Sequence, residues 1–294
     1  MRHAQSSRAS ALLSIRGLTV RYAAPGESPH PALLGVEFDI EPGETVGILG
    51  ESGSGKSTLA LSLMGLIPFK GGIVTGEVVF LGKDILKQSE RERRALLGNQ
   101  LSIVLQSPLT ALNPAISIGT QLTEAWKAHA TGARAEGSRA IISALENVSL
   151  PTDDEFLRRR PAQLSVGQGQ RVCIAMAILH RPALLLADEA TSALDPITQS
   201  EILKLFARLN LEMGTAILYI SHDLLSVAAL CHRICILLEG QIVECDTPEN
   251  IFNSPRHEYT RRLVTALPHT PFRRDDKSSK AEELQEQLLQ HSPF

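Results

Sequence analysis

Gly50-Glu51-Ser52-Gly53-Ser54-Gly55-Lys56-Ser57-Thr58 is the stretch on which the reading of this chain turns. It fits G-x-x-x-x-G-K-[ST], the pattern of a phosphate-binding loop. That pattern needs a strand before it and a helix after it. Thr45-Val46-Gly47-Ile48-Leu49 is a short apolar run that reads as a buried strand, and Leu59-Ala60-Leu61-Ser62-Leu63-Met64 reads as a helix. Glycines at 50, 53 and 55 let the backbone curl so that several N–H groups point into one concavity. The positive end of the helix dipole adds to the pull on an anion. Lys56 brings a full charge for the β- and γ-phosphates, and Ser57 a hydroxyl for Mg²⁺. A Gly/Ser-rich stretch can also be a plain linker, but the flanking strand and helix argue against that here.

Outward from the loop, the alternation of strand and helix patterns continues. Leu13 and Ile15 alternate with polar residues, and Leu18, Val20 and Tyr22 alternate in the opposite phase. The phase change at Arg16-Gly17 predicts a bulge or turn in an antiparallel pair. Ala23 to Pro31 reads as a loop, and Val36, Phe38 and Ile40 as one face of a half-buried strand. Gly76 to Leu81 reads as a strand, Ser89 to Leu97 as a helix, and Leu101 to Leu105 as a strand ending at Gln106. From Thr120 to Val148 the pattern is helical, with Ile141, Ile142, Leu145 and Val148 on one face.

Past Ser165 the alternation resumes. Arg171 to Leu179 is a helix, Leu184 to Ala187 a buried strand, and Ile202, Leu205, Phe206 and Leu209 mark another helix. Ala216 to Ile220 is a strand and Leu224 to Leu230 a helix; Ile234 to Leu238 and Gln241 to Val243 form a hairpin about Glu239-Gly240. Strands alternating with helices imply a mainly parallel sheet. The tail from Arg273 is polar, with a marginal helix at Glu282 to Gln290.

The 294 residues suffice for one large or two modest domains. A hydrophobic share of 43% and a charged share of 21% are ordinary for a soluble globular protein, and a net charge of −3 suggests no nucleic-acid partner. No apolar run reaches the roughly 18 residues of a membrane span, and Met1 to Ser10 has no apolar core of a secretory signal. Cys173, Cys231, Cys235 and Cys245 are few and irregularly spaced, which points to a reducing compartment and no disulfide framework. Cys231, His232 and Cys235 are a conceivable metal set; buried thiols on a helix-to-strand passage are the favoured alternative.

A second set of residues carries chemistry. Leu184 to Ala187 runs into Asp188-Glu189, two acids at the end of an apolar strand. The first is placed to assist Mg²⁺ and the second to deprotonate a water for attack on phosphorus. Each remaining candidate also has an ordinary structural use. Ser165 with Gln168 makes a capping box, and Asp195-Pro196 an N-cap followed by proline. His222 suits a strand end, and Gln106 a loop.

Taken in order, the phosphate loop, Gln106, Leu164-Ser165-x-Gly167-Gln168, Asp188-Glu189, Ser192-Ala193-Leu194-Asp195 and His222 resemble the ATP-binding cassette (ABC) ATPases, over roughly Leu13 to Pro268. The resemblance implies an α/β P-loop NTPase core with a mainly parallel sheet, an antiparallel β subdomain and an inserted α-helical subdomain. The expected division is a polar tail at 1–11, an ATPase domain at 12–268 with its helical part near 107–165, and a polar tail at 269–294. Tyr22 looks like the aromatic that stacks on adenine. Gly50, Glu51, Ser52, Gly53, Ser54, Gly55, Lys56, Ser57 and Thr58 would cradle the phosphates. Ser57, Gln106 and Asp188 would serve Mg²⁺, Glu189 would be the general base, and His222 would contact the γ-phosphate. Ser165, Gly167 and Gln168 would close over ATP held by a partner cassette, with Asp195 at the dimer seam. Val166 departs from the family, standing where its first signature glycine is usual, and Gly169 replaces a usual polar residue.

Gln106-Ser107-Pro108-Leu109-Thr110-Ala111-Leu112-Asn113-Pro114 is similar to the dipeptide, oligopeptide and nickel importer subfamily. So is Ser254-Pro255-Arg256-His257-Glu258-Tyr259-Thr260, followed by Ala266-Leu267-Pro268. That resemblance implies an ATPase on the cytoplasmic face of the membrane, peripheral to permease subunits. It also implies a second, unlike ATPase subunit and, indirectly, an extracytoplasmic solute-binding protein. Members with an iron–sulfur cluster carry a cysteine-rich tail; this chain has no cysteine after Cys245, so no cluster is expected. The alternatives are import of nickel or another solute, a cytosolic ABC protein acting on ribosomes or DNA, and a small-molecule kinase. A single phosphate loop speaks against the ribosomal class. The short span from Gln106 to Leu164 speaks against the coiled-coil arm of DNA-repair members. A kinase leaves the signature and His222 unexplained.

Overall fold

Leu13, Ile15, Leu18 and Val20 are all fully buried along one strand, β1 (Leu13–Tyr22), although their alternation changes phase between 15 and 18. The phase change is a bulge inside a continuous strand: Gly17 has φ 57°, and the register with β2 (His30–Ile40) shifts between Ile15 and Leu18. The computed structural model describes residues 11–22, 30–130 and 132–267. Most of the expected loop at Ala23 to Pro31 lies outside these residues, as do the tails (apart from residue 11) and the helix at Glu282 to Gln290. His30 and Pro31 prove to be the first residues of β2, where a missing N–H is tolerated.

The described residues fall into two compact units, Met1–Gln88 with Ala216–Phe294, and Ser89–Thr215. The first unit continues with β3 (Thr45–Leu49), buried at every position, and α1 (Lys56–Leu63). The helix starts inside the motif, three residues before Leu59. β4 (Gly72–Phe80) begins earlier than Gly76 and pairs antiparallel with β1, and β5 (Lys83–Asp84) pairs with β4. The antiparallel sheet therefore has the order β2-β1-β4-β5.

The second unit opens with α2 (Glu90–Leu96), capped by a Ser89–Glu92 capping box. Strand β6 (Leu101–Val104) follows, then α3 (Pro108–Ala111), α4 (Ile118–Lys127), α5 (Arg134–Asn147) and α6 (Asp154–Arg158). The stretch expected to be helical from Thr120 is thus two helices. Ile141, Leu145 and Val148 are buried as expected, but Ile142 is 39% exposed. At 3.6 residues per turn the neighbour of Ile141 points about 100° away from it, and the apolar stripe here is too narrow to include both. Next come α7 (Val166–Ile178), which starts well before Arg171, β7 (Leu184–Asp188), parallel to β6, and α8 (Pro196–Met213). Ile202, Leu205, Phe206 and Leu209 form the buried face of α8.

The chain returns to the first unit with β8 (Ala216–Ser221), α9 (Leu224–Leu230), β9 (Arg233–Leu238), β10 (Gln241–Asp246), α10 (Pro248–Asn253) and α11 (Glu258–Thr265). Strand β3 lies between β8 and β9, parallel to both. Helix α9 packs on β3 so closely that a Cβ on Gly47 would lie 2.2 Å from Val227 Cγ1. The β9–β10 hairpin turns at Glu239 and Gly240, with φ 47° and 78°. A register shift between Ile242 and Glu244 sets Cys245 opposite Cys235, with the sulfurs 2.7 Å apart. Cys231 and Cys235 are buried thiols, and Thr45 N–H donates to His232 Nδ1 at 3.0 Å. Among the described residues no helix is long and apolar enough to cross a membrane.

Candidate functional site

In the first unit, β3 ends at Leu49 and the loop that follows leaves no room for side chains at two of its glycines. A Cβ on Gly50 would stand 2.4 Å from the Leu237 carbonyl oxygen and 2.5 Å from Ser54 Oγ. Gly55 has φ 109°, and its Cβ would meet the Ala32 carbonyl oxygen at 2.6 Å. The hairpin tip grips the same loop: Gly240 N–H donates to the Ser54 carbonyl at 2.9 Å. Ser54 Oγ is buried with no hydrogen-bond partner among the described residues. Lys56 is buried, and its Nζ donates to the carbonyls of Gly50 at 2.7 Å and Glu51 at 2.9 Å. Glu51, Ser52, Gly53 and Ser57 face solvent.

The start of α1 has no side-chain cap: Gly55 offers none and the first turn holds no acid. The starts of α3 and α5 are likewise uncapped, whereas side chains of Ser89, Ser117, Asp153, Ser165, Asp195, Asp223, Thr247 and His257 cap the other α-helices. Amides at a helix start need an acceptor. Here no side-chain cap competes for them, the dipole favours negative charge, and a lysine stands by, so the residues fit a nucleotide's phosphates. Strand register places a further residue nearby: Leu49 pairs with Ser221, so Gly50 and His222 leave neighbouring parallel strands at the same end. His222 is exposed. Tyr22, at the end of β1, packs over Gly72, whose Cβ would lie 2.9 Å from Tyr22 Cε1.

The second unit groups its own candidates. Val104 pairs with Ala187, so Gln106 and the acids Asp188 and Glu189 also leave parallel neighbours at one end. Gln106 is exposed; Asp188 and Glu189 are half-buried. Glu189 has φ 51°, a left-handed backbone unusual for a side-chain-bearing residue. The Ser192 N–H, at 3.1 Å, and hydroxyl, at 2.9 Å, both donate to its carbonyl and fix that turn.

The capping uses of the signature and of Asp195 are both present. Gln168 N–H donates to Ser165 Oγ at 3.1 Å, and Ser165 N–H to Gln168 Oε1 at 3.1 Å. Asp195 accepts from the N–H groups of Ile197 at 3.1 Å and Thr198 at 3.0 Å, and from the Thr198 hydroxyl at 2.6 Å. That hydroxyl, then the amides, hold its carboxyl below the usual range. Ser165 stays exposed while capping, and Gly167 is half-buried. Val166 is the first helical residue of α7, has no positive φ and is 45% exposed. A branched side chain there meets no backbone objection.

Sequence inspection overlooked what joins the glutamine loop to the signature helix. Gln170, fully buried, donates from Nε2 to the Leu105 carbonyl at 3.1 Å, and a Cβ on Gly169 would meet Pro108 Cβ at 3.2 Å. Gly169 therefore answers to close packing. The available signal was a glutamine on the apolar side of α7. Gln121, also buried, exchanges hydrogen bonds with Asn113 and donates to the Ile116 carbonyl, pinning the rest of that loop.

Comparison with known proteins bears directly on this arrangement. The family model described as ABC transporter matches residues 33–192. The dipeptide transport ATP-binding protein DppD of Escherichia coli strain K12 is 41% identical over 258 residues, 88% of this chain and 79% of that protein. The oligopeptide transport ATP-binding protein OppD of Bacillus subtilis strain 168 is 38% identical, over 89% of this chain and 73% of that protein. Among solved structures, the dimeric ATP-binding cassette MJ0796 in a post-hydrolysis state with ADP and Pi superposes with a TM-score of 0.71. It is 30% identical and covers 80% of this chain and 98% of its own. The chain belongs to the ABC transporter family and is one of its ATP-binding ATPase subunits.

Proposed function

We propose that this ABC ATPase powers the uptake of dipeptides or oligopeptides through a membrane permease. What carries the proposal is its likeness, along nearly the whole chain, to ATP-binding proteins of dipeptide and oligopeptide transport. The subunit works at the cytoplasmic face of the membrane, bound to permease subunits and paired with a second, unlike ATPase. An extracytoplasmic binding protein delivers the solute.

Each candidate residue has a task. The amides of Gly50 to Thr58 and the Lys56 ammonium hold the phosphates, and Tyr22 offers its ring to adenine. Ser57, Gln106 and Asp188 would hold Mg²⁺, which when bound neutralises phosphate charge. Glu189 takes a proton from water as its oxygen bonds to the γ-phosphorus. The bond from that phosphorus to the ADP oxygen breaks, giving ADP and phosphate. His222 steadies the γ-phosphate. Ser165, Gly167 and Gln168 meet ATP held by the partner ATPase, and Asp195 lines the seam.

The test is purification of the tagged chain from native membranes, followed by identification of what comes with it. A permease, a different ATPase subunit and peptide uptake that stops in Glu189→Gln cells support the proposal. Ribosomes as the companions, or a permease whose uptake is confined to nickel, overturn it.

A further inference from the structure

We infer that Cys235 and Cys245 form a redox site, a dithiol that closes to a disulfide across β9 and β10 and staples the hairpin whose tip grips the phosphate loop.

Backbone register makes the pair. The shift between Ile242 and Glu244 puts Cys245 directly opposite Cys235. Opposed residues of an antiparallel pair have Cα atoms about 4.5–5.5 Å apart. A disulfide spans Cα separations of about 4.4–6.8 Å, so the bond can close without moving the backbone. The side chains already face each other, with the sulfurs 2.7 Å apart, and both residues are free thiols. The other two cysteines are placed differently. Cys231 packs over Gly47, whose Cβ would lie 3.1 Å from its sulfur, and Cys173 is buried in α7 of the other unit.

The two thiols have unequal surroundings, as an attacking and a resolving sulfur need. Cys245 is exposed on β10, which pairs only with β9 among the described residues, and Cys235 is fully buried. Arg233 stands two residues before Cys235, on the same face of β9, with Glu44 Oε1 at 2.6 Å from its Nε. The contact with Cys235 holds the Cys245 thiol below its ordinary pKa; burial opposes it and Arg233 adds to it. The same contact, then burial, pushes the Cys235 thiol well up. The exposed sulfur is therefore the one that ionises first, and the thiolate is the reacting form.

The oxidant is a small disulfide of the glutathione type. The Cys245 thiolate attacks one of its sulfurs, the oxidant's S–S bond breaks, and a small thiolate leaves with the electron pair. Cys235 then gives up its proton and attacks the Cys245 sulfur, and the second small thiolate leaves. The two cysteines lose two electrons and two protons, and the oxidant takes them up as two thiols. The closed bond acts on the far end of the hairpin. Gly240 donates to the Ser54 carbonyl at 2.9 Å and accepts the Leu34 N–H at 2.8 Å, and the Leu237 carbonyl lies against Gly50. Opening of the hairpin loosens these ties. Joining residues 235 and 245 disfavours the opening, so the hold on the phosphate loop follows the thiol poise around it.

The test uses the full chain, with oxidised and reduced glutathione as the probe. Oxidation of the folded protein should remove two of its four thiols, counted after denaturation. Peptide mapping should place the bond between Cys235 and Cys245 of one chain, and reduced glutathione should reverse it. The oxidised form should melt about 3–8 °C higher, and the Gly240 amide should exchange its hydrogen more slowly. Cys245→Ser, an exposed change, should show neither the loss of a thiol pair nor the redox-dependent shift in melting. Cys235→Ala should instead leave a small thiol trapped on Cys245 as a mixed disulfide, which keeps the test readable if the other variant folds poorly. Four thiols surviving an excess of oxidised glutathione overturn the inference. So does a bond that joins two chains through Cys245. A bond that forms within the chain but leaves melting and Gly240 exchange unchanged overturns the staple.

Discussion

Glu189 carries both a proposed chemical role and a measurable backbone cost, and two substitutions separate them. Its φ of 51° lies in the left-handed region, where a residue with a Cβ is disfavoured by about 1–2 kcal/mol. Glu189→Gln keeps that cost, keeps the shape and removes the base. Glu189→Gly also removes the base, but relieves the strain. Against this, glycine adds roughly 0.5–1 kcal/mol of unfolded-chain entropy. The glycine variant should therefore be more stable than the glutamine variant by about 0–1.5 kcal/mol. That sign is diagnostic, since glycine destabilises ordinary helical or extended positions. Both variants should lose hydrolysis by about a hundredfold or more. The measurements are urea unfolding of the two variants side by side, and phosphate release from the assembled transporter. A glycine variant clearly less stable than the glutamine one would refute the strained backbone. Near-normal turnover in either would refute the base.

Lys56→Ala should weaken ATP binding roughly tenfold to a hundredfold, the scale of charge-assisted hydrogen bonds, and abolish turnover; equilibrium binding and a phosphate assay check both. Gly47→Ala should destabilise the chain by about 1–3 kcal/mol, because its Cβ would collide with Val227; Val227→Ala should recover part of that in a double-mutant unfolding cycle. Burial pushes the Glu244 carboxyl up, but the amides of Arg256 and His257 and the Thr260 side chain outweigh it, so its folded pKa lies below the ordinary 4.5. A depressed carboxyl stabilises above its unfolded pKa and loses that contribution as pH falls through the folded one. Glu244→Gln should therefore flatten the fall in stability between about pH 5 and pH 3 in unfolding measurements. Val166→Gly should not lower, and on removing an exposed branched side chain should raise, the ATPase rate of the assembled complex, while the single subunit stays slow. A fast homodimer of this chain would count against an unlike partner.

How far the residues announce the structure depends on the range of the forces involved. The phosphate loop, the bulge at Arg16-Gly17 and the Glu239-Gly240 turn were legible because each rests on local backbone chemistry. The start of α1 was placed too late because apolar periodicity begins at Leu59, whereas the helix begins where the curled glycine loop hands over its amides, at Lys56. The Cys235–Cys245 contact was not legible. A hairpin in unbroken register about Glu239-Gly240 would set Cys235 opposite Glu244, and the shift near Val243 slides Cys245 into that place. Nothing in the local composition announces such a bulge. The fit of Gly169 to Pro108 is tertiary, and no periodicity reports it. The capping residues show the opposite difficulty: Ser165 and Asp195 cap helices here, and capping alone accounts for their residue types.

That last point bears on how binding and chemistry are divided in the chain. Among the described residues, Leu237, Gly240 and Ala32 of the first unit crowd or grip the backbone of the loop. These partners come from distant parts of the sequence, so the loop is ordered by the fold before any nucleotide arrives. Pre-organisation of this kind reduces the entropy lost on binding. Gln106, Asp188 and Glu189 belong to the second unit, where β6 and β7 set them at one end and Gln170 ties the glutamine loop to the signature helix. Substitutions should accordingly sort by unit. Those around the cradle, such as Lys56→Ala, should appear first in nucleotide affinity. Those on the second unit, such as Glu189→Gln, should leave affinity near normal and appear in turnover. Gln170→Ala tests the division most sharply. It leaves the Leu105 carbonyl, next to Gln106, without its donor and lies outside the phosphate loop, so its expected signature is normal ADP affinity with impaired hydrolysis in the assembled transporter. A loss of ADP affinity in Gln170→Ala would show that the two sets are not separable in this way.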